Sequence, residues 1–271
     1  MQLTMSNRIK SESRKTRLVR WFLGFHTCLL FVLPASAQPD GLQIVQEAQR
    51  RTSSESQRYE GTLQVIGGRT KVAEKRWVYD RKGSHGAGKV VLRFTAPAEV
   101  KGVALLIVNH PDRSSDQWMW TPAIGRERRI ALQDRSTRFF GTDFSFEDLE
   151  ERDVNQFDYE LRGEEQVDGA ACWKIQSKPK QAKRSQYSHS LLWIRKDNYA
   201  LAQIENYSRN ELVRRAHYTD IRNVQRFWTA HTVEMHDLKR NSRTILKIER
   251  LEYNLPLKDE AFTIDALRRE S

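Results

Sequence analysis

The chain has 271 residues, with 46 Lys and Arg against 35 Asp and Glu, for a formal net charge of +11. Six of the basic residues and one acid lie in the first 37 positions, so the remainder carries about +6. That mild excess suits anionic lipid surfaces and gives no argument for nucleic acid as a partner.

At the N-terminus, Arg8, Lys10, Arg14, Lys15, Arg17 and Arg20 precede a short apolar run, Trp21 to Leu33. Pro34 and an A-x-A pattern, Ala35-Ser36-Ala37, follow it. The run is shorter than the ~20 apolar residues a bilayer span wants. Together these features predict a secretory signal over residues 1–37, cleaved after Ala37, with an uncleaved anchor as the alternative. Residues 38–271 then form a single domain, a length that one all-β domain often reaches. Cys28 leaves with the signal, so Cys172 has no partner for an intrachain disulfide and reads as a small buried residue in "AACWKI".

The first mature element is an amphipathic helix in "PDGLQIVQEAQRRT", where Leu42, Val45 and Ala48 recur three apart. From Arg58 the period becomes two. Tyr59, Leu63 and Val65 alternate with Glu60, Thr62 and Gln64. Further candidate strands are 71–80, 89–95, 102–109, 115–121 and 126–132. "FDYELR" sets Phe157, Tyr159 and Leu161 against Asp158, Glu160 and Arg162, and "AACWKIQSK" sets Ala171, Trp173 and Ile175 against Cys172, Lys174 and Gln176. Strands over 186–196, 199–207, 211–221, 226–238 and 242–253 complete the series. Such alternation marks strands with one dry and one wet face. Most joints are short and turn-rich, including Gly67-Gly68, "RKGSHGAGK", "VDGA" and "SRNE", so neighbouring strands pair as antiparallel hairpins. "LPLKDEAFTIDAL" predicts a turn and a short helical segment. A long antiparallel sheet with so little helix to cover it is expected to curl and leave a cavity.

The chain carries no G-x-S-x-G elbow, no phosphate-binding loop and no dinucleotide fingerprint. His231 and His236 fall on opposite faces of one predicted strand, a poor metal pair. No enzyme activity, cofactor or metal is therefore expected. The acids after Phe146 read as a solvated rim, and "KPKQAKR" (178–184) as an exposed hairpin loop. The tryptophans and the four phenylalanines of "RFFGTDFSFEDL" supply wide, rigid apolar surface that suits a greasy ligand.

Three stretches, "RFTAPAEVKGVALLI" (93–107), "WMWTPAIGRERRI" (118–130) and "RFFGTDFSFEDL" (138–149), resemble the outer-membrane lipoprotein-sorting protein family, a LolA-like group of periplasmic carriers. The resemblance implies a mainly β fold: a curved antiparallel half-barrel whose concave side is covered by the N-terminal helix and short helical segments. It implies a periplasmic carrier that binds the acyl chains of lipoproteins or lipids, taking cargo from an inner-membrane lipid exporter to an outer-membrane acceptor. A lipid-sensing regulator that binds a membrane signalling partner is the alternative on the same scaffold. The expected cavity wall is Leu63, Val65, Trp77, Phe94, Leu105, Ile107, Trp118, Trp120, Phe157, Tyr159, Trp173, Ile175 and Trp193. The expected lid or rim is Phe139, Phe140, Gly141, Asp143, Phe144, Phe146 and Asp148, with Gly141 supplying a sharp bend. Asp143, Glu147 and Asp148 are expected to face water and anchor the loop to backbone N–H groups.

Overall fold

The computed structural model describes residues 39–67 and 73–269; the expected signal, 1–37, lies outside them. Thirteen strands form one antiparallel sheet: β1 (Ser56–Gly67), β2 (Ala73–Lys82), β3 (Lys89–Ala96), β4 (Ala104–Val108), β5 (Asp116–Thr121), β6 (Arg126–Arg129), β7 (Phe157–Val167), β8 (Ala170–Pro179), β9 (His189–Arg195), β10 (Leu201–Ser208), β11 (Glu211–Val224), β12 (Phe227–Asp237) and β13 (Ser242–Tyr253). Each expected strand is present. The order across the sheet runs from β6 down to β1, then from β13 down to β7. Two meanders are thus joined side by side through β1 and β13, and β6 and β7 remain as free edges, so the curved sheet is a half-barrel.

This order imposes one crossing. The chain leaves the sheet at β6 and re-enters at β7, the opposite edge, so residues 130–156 must traverse a face. They traverse the concave one. Ile130, Phe139, Phe144 and Phe146 belong to the same buried cluster as Leu63, Trp77, Leu92, Phe94, Leu105 and Ile107 of the first meander and Ile175, Leu192, Ile194, Ile204 and Leu246 of the second.

Helix α1 (Gly41–Thr52) covers the other part of this face. Its start is set by a capping box, in which Asp40 accepts from the Gln43 backbone N–H (2.8 Å) and the Gln43 side chain accepts from that of Asp40 (3.1 Å). Ile44 and Val45 are buried in the concave cluster and Ala48 packs against it. Leu42, expected on this face, is exposed instead, because Ile44 and Val45 rather than Leu42 share Ala48's side of the helix.

The convex face is covered only locally. After β13 the chain forms a turn at Asp259–Phe262 and a short helix α2 (Ile264–Leu267). Phe262 and Leu267 bury Ala104 and Leu106 there, with Trp118 and Trp120 packed around them. Arg93 holds this segment by donating to the carbonyls of Leu267 (3.0 Å) and Ala266 (3.1 Å).

In the crossing segment the phenylalanines are a plug. Phe139 is fully buried, stacked on Phe94 at 5.4 Å and edge-on to Phe140 (5.2 Å) and Phe146 (5.5 Å). The rings continue through Trp77 and Tyr59 to Tyr79. Trp77 fits because Gly61 opposite it has no side chain: a Cβ there would lie 2.6 Å from the Lys247 carbonyl oxygen and 3.1 Å from the indole nitrogen. The plug is delivered by a tight turn. Phe140 and Gly141 have φ of 44° and 74°, and the Thr142 N–H donates to the Phe139 carbonyl (3.0 Å), a geometry of the type I′ kind that glycine favours. Replacing Phe139 with alanine removes a ring with three aromatic partners and leaves a void. Phe139→Ala should destabilise the fold by about 3–5 kcal/mol, measured by urea denaturation.

Candidate lipid-binding site

The acids of the crossing segment do not form a wet rim. Asp143 is fully buried and accepts from Ser242 Oγ (2.5 Å), Thr244 Oγ1 (2.8 Å) and Arg138 Nη2 (2.8 Å). Asp148 accepts from Tyr187 Oη (2.7 Å), Arg214 Nη1 (2.8 Å) and the Ser145 N–H (2.7 Å). Glu147 accepts from Ser185 and from the Gln186 N–H. Glu150 is held by Arg135 (2.8 Å), Gln117 (2.9 Å) and Lys183. Glu151 pairs with Arg81 at 3.2 Å. The run is therefore a strap bound to β2, β11, β13 and the β8–β9 connection. Lys183, expected on an exposed loop, is buried because Glu150 holds it. Each carboxylate that leaves water here gains cationic or multiple hydrogen-bond partners, which offset part of the cost of burial.

Between this strap, α1 and strands β7 and β9–β11 lies a cavity of about 460 Å³. Its apolar wall is formed by Val45 and Ala48 of the helix, Leu149 of the strap, and Tyr159, Leu192, Ile194, Tyr199, Leu201 and Tyr218 of the sheet side, with Tyr79 beyond. A smaller recess of about 160 Å³ shares Leu201 and Tyr218 with it and is lined further by Phe144, Phe157, Ile204, Ala216 and Met235. Burial pushes the phenols of Tyr159 and Tyr218 up to about 12, so these two rings stay neutral. Gln49, His85, Glu150, Glu151 and Arg152 line the cavity as well. The Gln49 side chain donates to the Arg152 carbonyl and accepts from the Val154 N–H (3.2 Å), tying α1 to the strap. The His85 ring lies 3.2 Å from the Gln49 carbonyl, and burial lowers its pKa.

The expected residues divide between three places. Phe157 and Tyr159 line the two voids, and Phe144 and Asp148 line the recess. Trp173 and Ile175 belong to the same concave cluster, with Trp173 against Tyr199 at 5.0 Å. Leu63, Trp77, Phe94, Leu105 and Ile107 also face the concave side, but in the half where the phenylalanines sit, and they do not line the cavity. Val65 is half-buried near the end of β1, outside that cluster. Phe139, Phe140 and Phe146 pack into the cluster instead of bordering the opening, and Asp143 faces Ser242 and Thr244 instead of water.

Trp118, Trp120 and Trp193 lie on the other face. Trp118 pairs with Leu106 and Trp120 with Ala104, so strand alternation sends both to the α2 side, while Gln117 and Met119 turn inward opposite Ile107 and Leu105. Trp193 sits with Cys172 and Ala202 on the convex side and donates to Glu165 (2.8 Å). Reading alternation alone missed Leu192, Ile194, Leu201 and Tyr218. Their period-two spacing was visible, but nothing in it told which half of the sheet stays unfilled.

A sheet of this order, with a crossing strap and a helix over the concave face, defines the LolA-like fold. Several solved structures are similar to this chain in fold. A domain named for outer-membrane lipoprotein sorting from Vibrio parahaemolyticus matches with a TM-score of 0.80 at 24% identity, covering 84% of this chain and 98% of that one. A DUF1329 family protein from Desulfovibrio piger matches at 0.80 and 26%, covering 84% and 97%. A LolA superfamily protein from Nitrosomonas europaea matches at 0.68 and 19%, covering 84% and 100%. A family model described as that of an uncharacterized protein matches residues 86–269, and the chain belongs to that family. No curated protein matches it.

Glu151 supplies a pH test of the strap. Burial raises its pKa to about 7 despite Arg81, from an ordinary 4.5. Between these values the native state holds a proton that the unfolded chain has released, so this group's contribution to stability is full below about 4.5 and falls as pH rises to 7. Glu151→Gln keeps the shape without the titration. Relative to wild type, the variant should gain roughly 3 kcal/mol between pH 4.5 and 8, measured by chemical denaturation across that range.

Proposed function

We propose that the protein is a periplasmic carrier that takes acyl chains of lipids or lipoproteins into the concave cavity and moves them toward the outer membrane. The observation that carries this reading is the apolar space of about 460 Å³ between α1 and the sheet, on the face that an ordinary domain fills with its own side chains. That size falls within the usual range of ligand cavities. A sixteen-carbon chain buried there gains on the order of 10 kcal/mol before costs. The lipoprotein-sorting name of the Vibrio parahaemolyticus domain supports the same class of cargo, and the basic, apolar, A-x-A pattern of residues 1–37 supports export with cleavage after Ala37. The inner-membrane exporter and outer-membrane acceptor are the partners such a route requires.

The two covers differ in how they are held, and this bears on loading. The strap is fixed by five carboxylates with buried or half-buried partners. Helix α1 is held by Ile44, Val45 and the Gln49 tie. Release of cargo therefore uses displacement of the helix, the less anchored cover. A lipid-sensing regulator would load the same cavity, so the binding test comes first for either role.

Ala48 lines the cavity from the helix, whereas Leu42 on the same helix faces solvent. Ala48→Trp should cut uptake of a fluorescent fatty acid at least about ten-fold, and Leu42→Trp should leave it unchanged. Lipid extracted from the purified wild-type protein should appear in mass spectra and be depleted from Ala48→Trp. Unimpaired uptake by Ala48→Trp, with circular dichroism showing the native fold, would remove this cavity as the binding site.

A further inference from the structure

We propose that the cargo carries an anionic headgroup, a phosphate ester on a glycerol or similar scaffold, and that this group is bound by a groove formed by Arg50, Arg51 and Arg226 beside Trp228. The proposal rests on the carrier reading and specifies the polar end of its ligand. The groove has a volume of about 370 Å³ and lies where the C-terminal turn of α1 meets the β9–β10 and β11–β12 turns. Its lining holds three arginines and no acid; Thr52, Ser53 and Asn198 add short polar side chains.

Position is the first argument. Thr52 lines both the groove and the cavity. Arg51, of the groove, lies over the ring of Tyr199, of the cavity, at 4.0 Å. An acyl chain leaving the cavity at this end passes directly to the guanidinium groups.

Availability is the second argument. Most arginines of this protein are spent on carboxylates. Arg50 and Arg51 share one, Glu47, with contacts of 2.7 Å to each, while the Arg50 side chain remains 71% exposed. Two guanidinium groups on one carboxylate leave donors unspent, since each offers five. Arg226 lies 5.4 Å from the ring of Phe227, and among the described residues no carboxylate pairs with it. Its backbone has φ of 75° and is fixed by the Asn223 side chain, which accepts from the Arg226 N–H (3.1 Å). Trp228 is 41% exposed, one of the few large apolar side chains left in water. A bidentate guanidinium fork suits phosphate, and an indole beside it suits the ester region of a lipid, half apolar and half wet.

The test compares lipids of one chain length that differ only in headgroup. Displacement of a fluorescent fatty acid should show lysophosphatidylglycerol binding about ten-fold or more tightly than the neutral monoacylglycerol. The double variant Arg50→Gln, Arg226→Gln should bring the two within about two-fold, with monoacylglycerol affinity and the circular dichroism spectrum unchanged; Arg51 is left in place because it packs on Tyr199. Raising the salt concentration should act on the wild type in the same direction. Equal affinities for the two lipids in the wild type would overturn the headgroup site and leave the carrier standing. Failure of every acyl lipid to bind would overturn both. Glycerol phosphate alone binding as tightly as the lysolipid would make this a site for free phosphate esters instead. Arginine-dependent sedimentation with anionic phosphatidylglycerol vesicles, without any preference for the monomeric lysolipid, would make it a membrane-docking face and also overturn the proposal.

Discussion

Because β6 and β7 are the two opposite edges of one open sheet, the connection between them has to cross a face, and nearly every feature of the molecule follows from how it does so. A polypeptide laid across an apolar surface brings its own backbone N–H and C=O groups with it, and these must be satisfied where water is scarce. The first part of the crossing meets this by turning tightly on Phe140 and Gly141 and driving rings into the sheet, with Thr142 closing the turn onto the Phe139 carbonyl. The second part is acidic, and β2, β11, β13 and the β8–β9 connection supply arginines, hydroxyls and a tyrosine at matching positions. Such pairs add little net stability over apolar packing, but losing one partner strands a charge, so they specify where the strap lies.

The asymmetry of the crossing decides where the cavity is. Over β2–β5 the phenylalanines pack against Trp77, Phe94 and Leu105. Over β9–β11 the strap contributes mainly polar side chains directed at their partners, and a single amphipathic helix supplies the apolar cover. One helix does not fill the space above these strands, and the remainder is bounded by Leu192, Ile194, Leu201 and tyrosines. The same arrangement places the end of α1, with its arginines, at the rim. A hydrophobic interior and a cationic margin thus come from one element.

Much of the architecture was legible in the residues. The candidate strands stand where the sheet has its strands, the three-apart spacing of Leu42, Val45 and Ala48 marks the first helix, and the turn residues imply antiparallel hairpins. The rings of the stretch 138–149 lie on the concave side. The burial of its acids is not legible there, since a run such as "FEDLEERD" looks the same whether water or Arg135, Lys183 and Arg214 surround it. The placement of Trp118 and Trp120 is hidden for a related reason. Alternation shows that Trp118 and Trp120 share a face and that Met119 has the other, but not which face is concave; the α2 segment, distant in sequence, buries both rings from outside.

The amino-acid sequence by itself therefore determined the local conformations and the antiparallel pairing of neighbours, because these depend on side-chain period and turn chemistry over a few residues. Only the tertiary structure decided that β1 pairs with β13, which face curls inward, that the acids are buried, and which half of the hollow stays unfilled. Those outcomes depend on contacts between residues far apart in the chain, such as Asp143 with Thr244, Gln49 with Arg152 and Asp148 with Arg214, and no local pattern encodes them.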